Sequence, residues 1–382
     1  MRIMFFCWAE EMKVELVNWA LYLARLPHDF IITPLIRLRD EMNYEGTVSR
    51  LNRAYANIVV DPIYLRTPSS SFENLLNPSI LLGDFISIFK VIKRSRPNVV
   101  ICFYLSHAYP LVILKRVLKF SLGVVAMGSD VNLENSLLHK SVRRLIYRNC
   151  ELIFASSWKL KERIEEECTR SVIVIPSSAD VSFFRPIDSR AVLRQKWGIK
   201  EGNRVILTVC SLVKIKGVNV LIKALRVLNS VDVDLLVVGE GPERKKLEKL
   251  SFVLGMEKRV TFLGFRNRDE LLELYNLADV FVLASYSEGL PRVLIEAMAC
   301  ECVPVVSDVG SVGAVIKEGY NGFTVSPGDY KKLGERIKAT LSLPEKEIRL
   351  IRSRARHSVE YNFDSRKQIE KMVGKINALN SS

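Results

Sequence analysis

Three kinds of pattern are missing from the sequence, and each absence removes a class of protein. No G-x-G-x-x-G motif and no Walker-type phosphate loop occurs, which argues against dinucleotide-binding proteins and P-loop NTPases. The 7 cysteines include no C-x-x-C pair and there are only 4 histidines, so we expect reduced thiols in a cytosolic protein and no zinc site. The apolar runs are too short for a membrane span of about 20 residues, and no secretion signal is expected.

Composition and charge indicate a folded protein with one strongly basic region. The 382 residues are 48% hydrophobic and 26% charged, which excludes disordered chains and gives two domains as the expectation. The net charge is +14, and residues 51–150 alone carry 13 Lys and Arg against 5 Asp and Glu. This charge is compatible with a solvated helix surface, with contact to an anionic membrane or lipid-linked acceptor, or with nucleic acid, which is the least favoured of the three.

Short β-branched runs alternate with longer segments of helical periodicity in both halves of the chain. Runs that are apolar almost throughout predict parallel strands covered on both faces, so the predicted fold class is α/β with two doubly wound, Rossmann-like domains. A turn-rich stretch with two prolines gives the boundaries 1–185 and 186–364, and the last helical segment, 365–382, packs on the second domain or completes the first. The predicted strands are Arg2 to Cys7, Asn98 to Phe103, Val124 to Met127 and Leu152 to Ala155, then Arg204 to Val209, Asp234 to Val238, Val260 to Leu263, Val280 to Leu283, Pro304 to Ser307 and Gly322 to Val325.

An acidic turn before a predicted helix is the most unusual stretch of the second half. Glu288 precedes Pro291, which is expected at the first helical position, and Glu296 lies inside the helix. The rise of ~8 Å along the helix axis between Pro291 and Glu296 separates the carboxylates. A retaining glycosidase needs its two carboxyl groups ~5 Å apart, so this class is not favoured.

Two separate contacts to one ligand are the better interpretation of these acids. Backbone N–H groups at the helix start, including those of Gly289 and Leu290, suit an anion or a hydroxyl-rich group, and Glu296 suits the two hydroxyls of a ribose. The alternative is structural: Glu288 caps the helix and Glu296 is a solvated helical residue.

Two further strand-to-helix turns carry candidate ligand-binding residues. Lys216 follows the first strand of the second half, at the edge where such sheets bind ligands, and is placed to contact phosphate. Gly241, in Gly239-Glu240-Gly241-Pro242, lets a ligand approach the backbone. A surface lysine and an ordinary turn are the alternatives for these two positions.

Together these residues resemble the family four glycosyltransferases, a retaining group with the two-domain GT-B fold in which the domains face each other across a cleft. The resemblance covers most of the chain and is specific in the second half, where motifs agree in order and spacing. The matching segments are Ser211-Leu212 through Lys216-Gly217, Val237 to Pro242, Thr261 to Phe265, Ala278-Asp279-Val280, Glu288 with seven residues before Glu296, Pro304 to Gly310 and Gly319 to Phe323.

The resemblance implies transfer of a hexosyl group from a UDP- or GDP-sugar, with retention, to a glycan, glycolipid or lipid-linked saccharide. Glu296 would hold the ribose, Lys216 and the Ser211 position the diphosphate, and Glu288 with the backbone of Gly289 and Leu290 the sugar hydroxyls. Glu288 and Lys216 are therefore the expected catalytic residues. No cofactor and no metal are expected, and the leaving phosphate would help to deprotonate the acceptor.

The first half resembles the family less closely. Met127 stands where the family has a His before Gly128-Ser129-Asp130, and Ser211 stands where the family commonly has Arg, a loss that Lys214 would compensate if it faced the ligand. Met127, Gly128 and Asp130 are the candidates for the sugar side, although Asp130 is equally expected as a helix cap.

His107 follows a predicted strand and is a candidate to orient the acceptor hydroxyl, the alternative being a hydrogen-bonded buried histidine. The expected location is cytoplasmic, with peripheral contact to the inner face of the membrane left open, and no nucleic-acid partner is expected. The remaining alternatives in function are a nucleotide-sugar-binding pseudoenzyme and a sugar-nucleotide epimerase.

A tight turn in the second half departs from the family at Glu301, which replaces a usual Gly. A side chain at that position is expected to strain the turn.

Overall fold

The computed structural model describes most of the chain, and the chain divides into two compact units. The described residues are 1–8, 23, 26–37, 57–61, 63–65, 78–127, 131, 137–188, 190–228 and 231–379. One unit comprises Met1–Pro176 with Ile369–Ser382, and the other comprises Ser177–Gln368. Among the helices described, none combines the length and apolar character required to span a bilayer.

The first unit is built on a parallel sheet with the strand order β3-β2-β1-β5-β6-β7-β8, in which β4 also pairs with β2. Its switch point, where the chain crosses to the other half of the sheet, lies between β1 and β5. The strands are β1 Arg2–Trp8, β2 Asp29–Arg37, β3 Ile58–Val60, β4 Ile63–Leu65, β5 Val99–Phe103, β6 Ser121–Ala126, β7 Leu152–Ala155 and β8 Val172–Val174. The helices of this unit are α1 Pro78–Ser95, α2 Ala108–Leu118, α3 Leu137–Asn149 and α4 Trp158–Glu165.

Both faces of this sheet are covered by apolar residues. Helices α1 to α4 pack on one face, where they share a core with Met4, Val100 and Cys102. Ile369 and Ile376 pack on the other face, beside Phe5. The alternate residues of each strand point to opposite faces, which is why strands of this kind are apolar almost throughout.

The second unit repeats this architecture with six parallel strands in the order β11-β10-β9-β12-β13-β14. The strands are β9 Arg204–Val209, β10 Val233–Val238, β11 Val260–Gly264, β12 Val280–Leu283, β13 Val303–Ser307 and β14 Phe323–Val325. The helices are α5 Arg190–Lys196, α6 Val218–Ala224, α7 Arg244–Val253, α8 Arg268–Leu277, α9 Arg292–Ala299, α10 Tyr330–Leu341 and α11 Glu345–Asn362, followed by α12 Ser365–Ala378. The switch point of this sheet lies between β9 and β12, at its centre.

The residues of β9 show how the sheet is buried on both sides. Val205 and Leu207 belong to one core with Leu294 of α9, whereas Ile206 belongs to a second core with Leu221 of α6. All three β9 residues are fully buried. The prediction of two Rossmann-like units with parallel sheets is therefore confirmed.

The structure differs from the predicted elements in the first half. Strands β2, β3, β4 and β8 were not predicted. In β2, Pro34 interrupts the β-branched run and pairs with Cys7 of β1, and β3, β4 and β8 each have only three residues. The sequence also predicts a helix over Val14 to Leu26 from its helical periodicity, and this segment lies almost wholly outside the described residues.

The division between the units lies after Pro176 rather than after residue 185. The segment that follows packs in the second unit, because Phe184 is in its core and Ala179 pairs with Asp364. From Ile369 onward α12 belongs to the first unit, where Lys371 Nζ donates to the carbonyl oxygen of Val174 at 2.9 Å.

Candidate functional site

Lys216 and Glu288 lie in loops that leave the two strands at the switch point of the second unit. Lys216 ends a short 3-10 turn, Lys214–Lys216, that follows β9. Glu288 lies in the loop between β12 and α9. In an open α/β sheet the crevice at the carboxyl ends of these two strands is the usual place for a ligand.

The two side chains form a direct ion pair. Lys216 Nζ lies 2.8 Å from both carboxylate oxygens of Glu288. Ser285 Oγ also donates to Glu288 Oε1 at 2.7 Å. The Glu288 side chain is only 8% exposed, against 25% for Lys216, so the carboxylate depends on these donors for compensation of its charge.

Backbone contacts hold the two loops against each other. The N–H of Tyr286 donates to the carbonyl oxygen of Ile215 at 2.8 Å. Gly217 has a φ of +62°, and a Cβ there would overlap the carbonyl oxygen of Ala284. Glycine is required at 217 for both reasons, and the turn that carries Lys216 therefore packs directly on the end of β12.

Glu296 occupies a separate, buried position in α9. Pro291 is the N-cap of this helix and not its first helical residue, a shift of one from the prediction. The carboxylate of Glu296 accepts a hydrogen bond from Tyr275 OH at 3.0 Å, and Arg292 Nη2 lies 3.8 Å from its other oxygen. Glu296 is 8% exposed and is therefore not the solvated helical residue of the alternative interpretation.

Burial governs the titration of the groups around these acids. It raises the pKa of the Tyr275 hydroxyl well above its ordinary value, and the neighbouring Glu296 adds to the rise, so Tyr275 remains a hydrogen-bond donor. Burial also raises the pKa of Cys210, which follows β9, to about 11. The Cys210 thiol is thus protonated at neutral pH and is not a nucleophile.

The other predicted donor-side residues lie in the same set of loops. Ser211 is exposed directly after β9. A Cβ on Gly241 would overlap the carbonyl oxygen of Leu212, so this turn packs closely on the loop after β9. Gly289 is exposed and Leu290 is buried between Glu288 and α9.

Lys214 does not take part in the Lys216–Glu288 pair. It lines a cavity of about 470 Å³ between α6 and α7, together with Val218, Asn219, Leu247 and Tyr286. Lys216 is not among the residues that line this cavity. The proposed compensation for the missing arginine at Ser211 therefore has no support from the position of Lys214.

In the first unit, His107 lies at the switch point, in a 3-10 turn directly after β5. Burial lowers its pKa to about 3, so the imidazole is neutral at physiological pH. Its ring packs edge to face on Tyr104, whose φ of +69° is unusual for a residue with a side chain. Met127 follows β6 and is half-buried against the core, whereas Gly128 and Asp130 lie outside the described residues.

The sequence pointed to Lys216, Glu288 and Glu296 as candidates but not to the side chains that contact the two acids. Ser285 is three residues from Glu288, and Arg292 is four from Glu296, spacings that mark neighbours in a turn or helix. Tyr275 comes from α8, and its distance along the chain from Glu296 gives no local signal.

Comparison with known proteins adds independent findings to this geometry. Residues 189–357 match the family described as glycosyl transferases group 1. The chain is 26% identical over 341 residues, 84% of each protein, to an N-acetyl-alpha-D-glucosaminyl L-malate synthase of Bacillus anthracis. It is 29% identical over 201 residues, 50% of this chain and 44% of the relative, to a D-inositol 3-phosphate glycosyltransferase of Rhodococcus jostii.

Among solved structures, Anabaena HepE in complex with UDP and glucose has a similar fold. The TM-score is 0.80 at 20% identity, over 99% of this chain and 100% of that one. The two Rossmann-like units with parallel sheets are the GT-B fold, and the second unit carries the match to the glycosyl transferases group 1 family.

Proposed function

We propose that this glycosyltransferase moves a hexosyl group from a UDP- or GDP-sugar to a glycan, glycolipid or lipid-linked saccharide, with retention and without a bound metal. The observation that carries the proposal is the pairing of Lys216 with Glu288 at the switch point, with Glu296 on the helix that follows. The complex of the structurally similar HepE with UDP and glucose supports a nucleotide-sugar donor for this chain too.

Lys216 and Glu288 act by exchanging partners when the donor binds. The donor diphosphate competes with Glu288 for Lys216 Nζ, and the lysine then offsets the charge that develops on the leaving diphosphate. The carboxylate of Glu288 turns to the sugar hydroxyls, which together with Ser285 replace the lost cation as hydrogen-bond donors. The N–H groups of Gly289 and Leu290 contribute to the same sugar.

Glu296 binds the ribose. Tyr275 holds one carboxylate oxygen at 3.0 Å and fixes the orientation of the group, so the second oxygen is available to the ribose hydroxyls. Arg292 Nη2, 3.8 Å from Glu296 Oε1, partly offsets the negative charge of this buried carboxylate. A carboxylate that accepts hydrogen bonds from ribose hydroxyls is a common arrangement in nucleotide-binding α/β folds.

The chemical step needs no covalent intermediate on the protein. The bond from the anomeric carbon to the diphosphate oxygen breaks, the acceptor oxygen bonds to the same face of that carbon, and the acceptor proton passes to the leaving phosphate. The neutral Cys210 thiol beside the site is consistent with this route. Alignment and electrostatic stabilisation are then the main contributions of the protein.

The acceptor side is proposed to lie in the first unit. His107 is neutral and lies after β5. Its imidazole would accept a hydrogen bond from the acceptor hydroxyl, or donate one to it, without exchanging a proton with solvent. Met127, Gly128 and Asp130 are proposed for the same side on the basis of the family resemblance.

A lysine pair in one turn provides the test. Lys216→Met is expected to lower turnover by about 100-fold or more, because a charge stabilising the transition state is lost. Lys214→Met is the matched control and should retain activity, since Lys214 lines the cavity between α6 and α7 and makes no contact with Glu288. Glu296→Gln should raise the KM for the donor about 10-fold through weaker ribose contacts. Activity is measured as release of UDP or GDP from a panel of nucleotide-sugars with saccharide acceptors.

Three results would overturn parts of this proposal. Equal losses in the two lysine variants would remove Lys216 from the site. Donor binding without turnover on any acceptor would favour the pseudoenzyme, for which the changes at Ser211 and Met127 are the motivating features. Loss of activity in EDTA would refute metal independence. A product whose anomeric configuration is inverted, measured by NMR, would refute retention. Conversion of the bound sugar to its epimer would indicate the epimerase.

A further inference from the structure

The helix layer α1–α3 of the first unit carries an exposed apolar stripe. Helix α2 contacts both α1 and α3, and all three contribute buried residues to one core. On α2, Tyr109, Ile113 and Val117 are 37%, 44% and 67% exposed. Residues four apart lie on one face of a helix, so these three side chains form a continuous stripe.

The neighbouring helices α1 and α3 also expose apolar side chains. Ile86 of α1 is 44% exposed, and Leu145 of α3 is 41% exposed. We call the exposed side of these helices, with the side chains of Ile86, Tyr109, Ile113, Val117 and Leu145, the α1–α3 surface. Exposed aliphatic side chains grouped in this way usually mark a contact site.

The same helices are unusually rich in cations. Residues 85–127 contain seven Lys and Arg and no Asp or Glu, and residues 137–149 contain four and none. Three of these cations have carboxylate partners: Arg94 with Asp61, Lys115 with Glu151 and Arg143 with Glu167. Seven others are exposed and make no ion pair within the described part of the chain: Lys90, Lys93, Arg96, Arg116, Lys119, Arg144 and Arg148.

We propose that the α1–α3 surface docks on an anionic lipid bilayer. The unpaired cations would contact lipid headgroups, and the aliphatic stripe of α2 would enter the interface between headgroups and acyl chains. Nucleic acid would satisfy the cations but offers nothing to Ile113 and Val117, since its recognition relies on phosphate contacts and on hydrogen bonds or stacking to bases. The combination of both features therefore selects a lipid surface.

Vesicle sedimentation of the full chain tests the proposal without any measurement of glycosyl transfer. Vesicles of phosphatidylcholine with about 30% phosphatidylglycerol are compared with pure phosphatidylcholine at ~0.1 M salt. We expect the protein to sediment with the anionic vesicles alone. Each cation near the surface adds about fivefold to the partition coefficient, so Arg116→Gln/Lys119→Gln/Arg148→Gln should weaken binding about 100-fold.

Two further variants separate the surface from total charge. Lys245→Gln/Lys249→Gln/Lys331→Gln removes three exposed lysines of the second unit, gives the same net charge and should bind like the parent. Ile113→Ser/Val117→Ser should weaken binding about 10-fold while leaving its dependence on salt unchanged, because only the apolar contact is lost. An unchanged unfolding temperature for each variant would show that its weaker vesicle binding is not caused by misfolding.

Several outcomes would overturn the proposal. Equal sedimentation with neutral and anionic vesicles would show that charge has no role. Full binding by Arg116→Gln/Lys119→Gln/Arg148→Gln would place the contact elsewhere. A loss of equal size in the second-unit control would show that only total charge matters. Tighter binding to double-stranded DNA than to anionic vesicles at the same salt would assign the surface to nucleic acid.

Discussion

Glu301 offers a test of strain close to the site, because it ends α9 in a conformation that favours glycine. Its φ is +61°. The N–H of Cys302 donates to Ala297 O at 2.9 Å and the N–H of Glu301 donates to Met298 O at 3.0 Å, the hydrogen bonds of a Schellman motif. The sequence-based expectation of strain at this turn agrees with this backbone conformation.

The expected gain from Glu301→Gly follows from two opposing terms. A side chain in the left-handed region costs about 1–2 kcal/mol, which the substitution removes. Glycine makes the unfolded chain more flexible and costs about 0.5–1 kcal/mol in return. The net increase in the free energy of unfolding is about 0.5–1 kcal/mol, or a rise in Tm of about 2 °C for a unit of this size, measured by scanning calorimetry.

Glu301→Ala is the matched control for this prediction. It removes the same carboxylate but keeps a Cβ, so the strain remains and no comparable gain is expected. If the alanine and glycine variants unfold at the same temperature, the gain comes from the lost charge and the reasoning from backbone strain is refuted.

Three other substitutions probe the site and its supports. Gly217→Ala should destabilise the second unit by about 3 kcal/mol in urea denaturation, since its Cβ would overlap the carbonyl oxygen of Ala284, and wild-type stability would refute this packing. Asp279→Asn should cost about 3 kcal/mol in the same assay, because the 4%-exposed carboxylate is ion-paired and accepts a hydrogen bond from a backbone N–H, and a loss below about 1 kcal/mol would contradict this. His107 has a pKa of about 3 in the folded protein and 6.5 in the unfolded chain, so the unfolded chain binds the extra proton between these pH values. The free energy of unfolding should therefore fall as the pH drops from 6.5 towards 3, and His107→Gln should flatten that part of the pH profile. An unchanged profile in the variant would rule out His107 as the origin of the fall.

The central sheet of the second unit could be predicted from sequence because each strand is a β-branched run bounded by polar turns. Val280 to Leu283 was predicted with the same limits that the structure has. Glu288 could be placed in the following turn on the same basis. Local pattern was sufficient for these elements, since burial on both faces makes each strand apolar throughout.

Contacts between distant elements could not be predicted in the same way. The sequence suggested two separate roles for Lys216 and Glu288, and the direct ion pair between them depends on the adjacency of β9 and β12, which lie far apart along the chain. Tyr275 reaches Glu296 from another helix for the same reason. In the first half, three-residue strands such as β8 are too short for a periodic signal.

The placement of the two charges follows from contacts between backbones. Gly217 lets the turn of Lys216 rest on Ala284, and a Cβ on Gly310 would overlap the carbonyl oxygen of Glu288 itself. Loops in such direct contact have little room to shift, so the backbones that carry Lys216 and Glu288 are fixed relative to each other, which suits the electrostatic role proposed for the two side chains. In the proposed function, donor binding exchanges the Lys216–Glu288 ion pair for one between Lys216 and the diphosphate, and the buried carboxylate of Glu288 then needs new hydrogen-bond donors. A donor that brings both a diphosphate for the lysine and hydroxyls for the carboxylate completes that exchange, whereas a nucleoside diphosphate alone would leave Glu288, at 8% exposure, without a replacement for its cation.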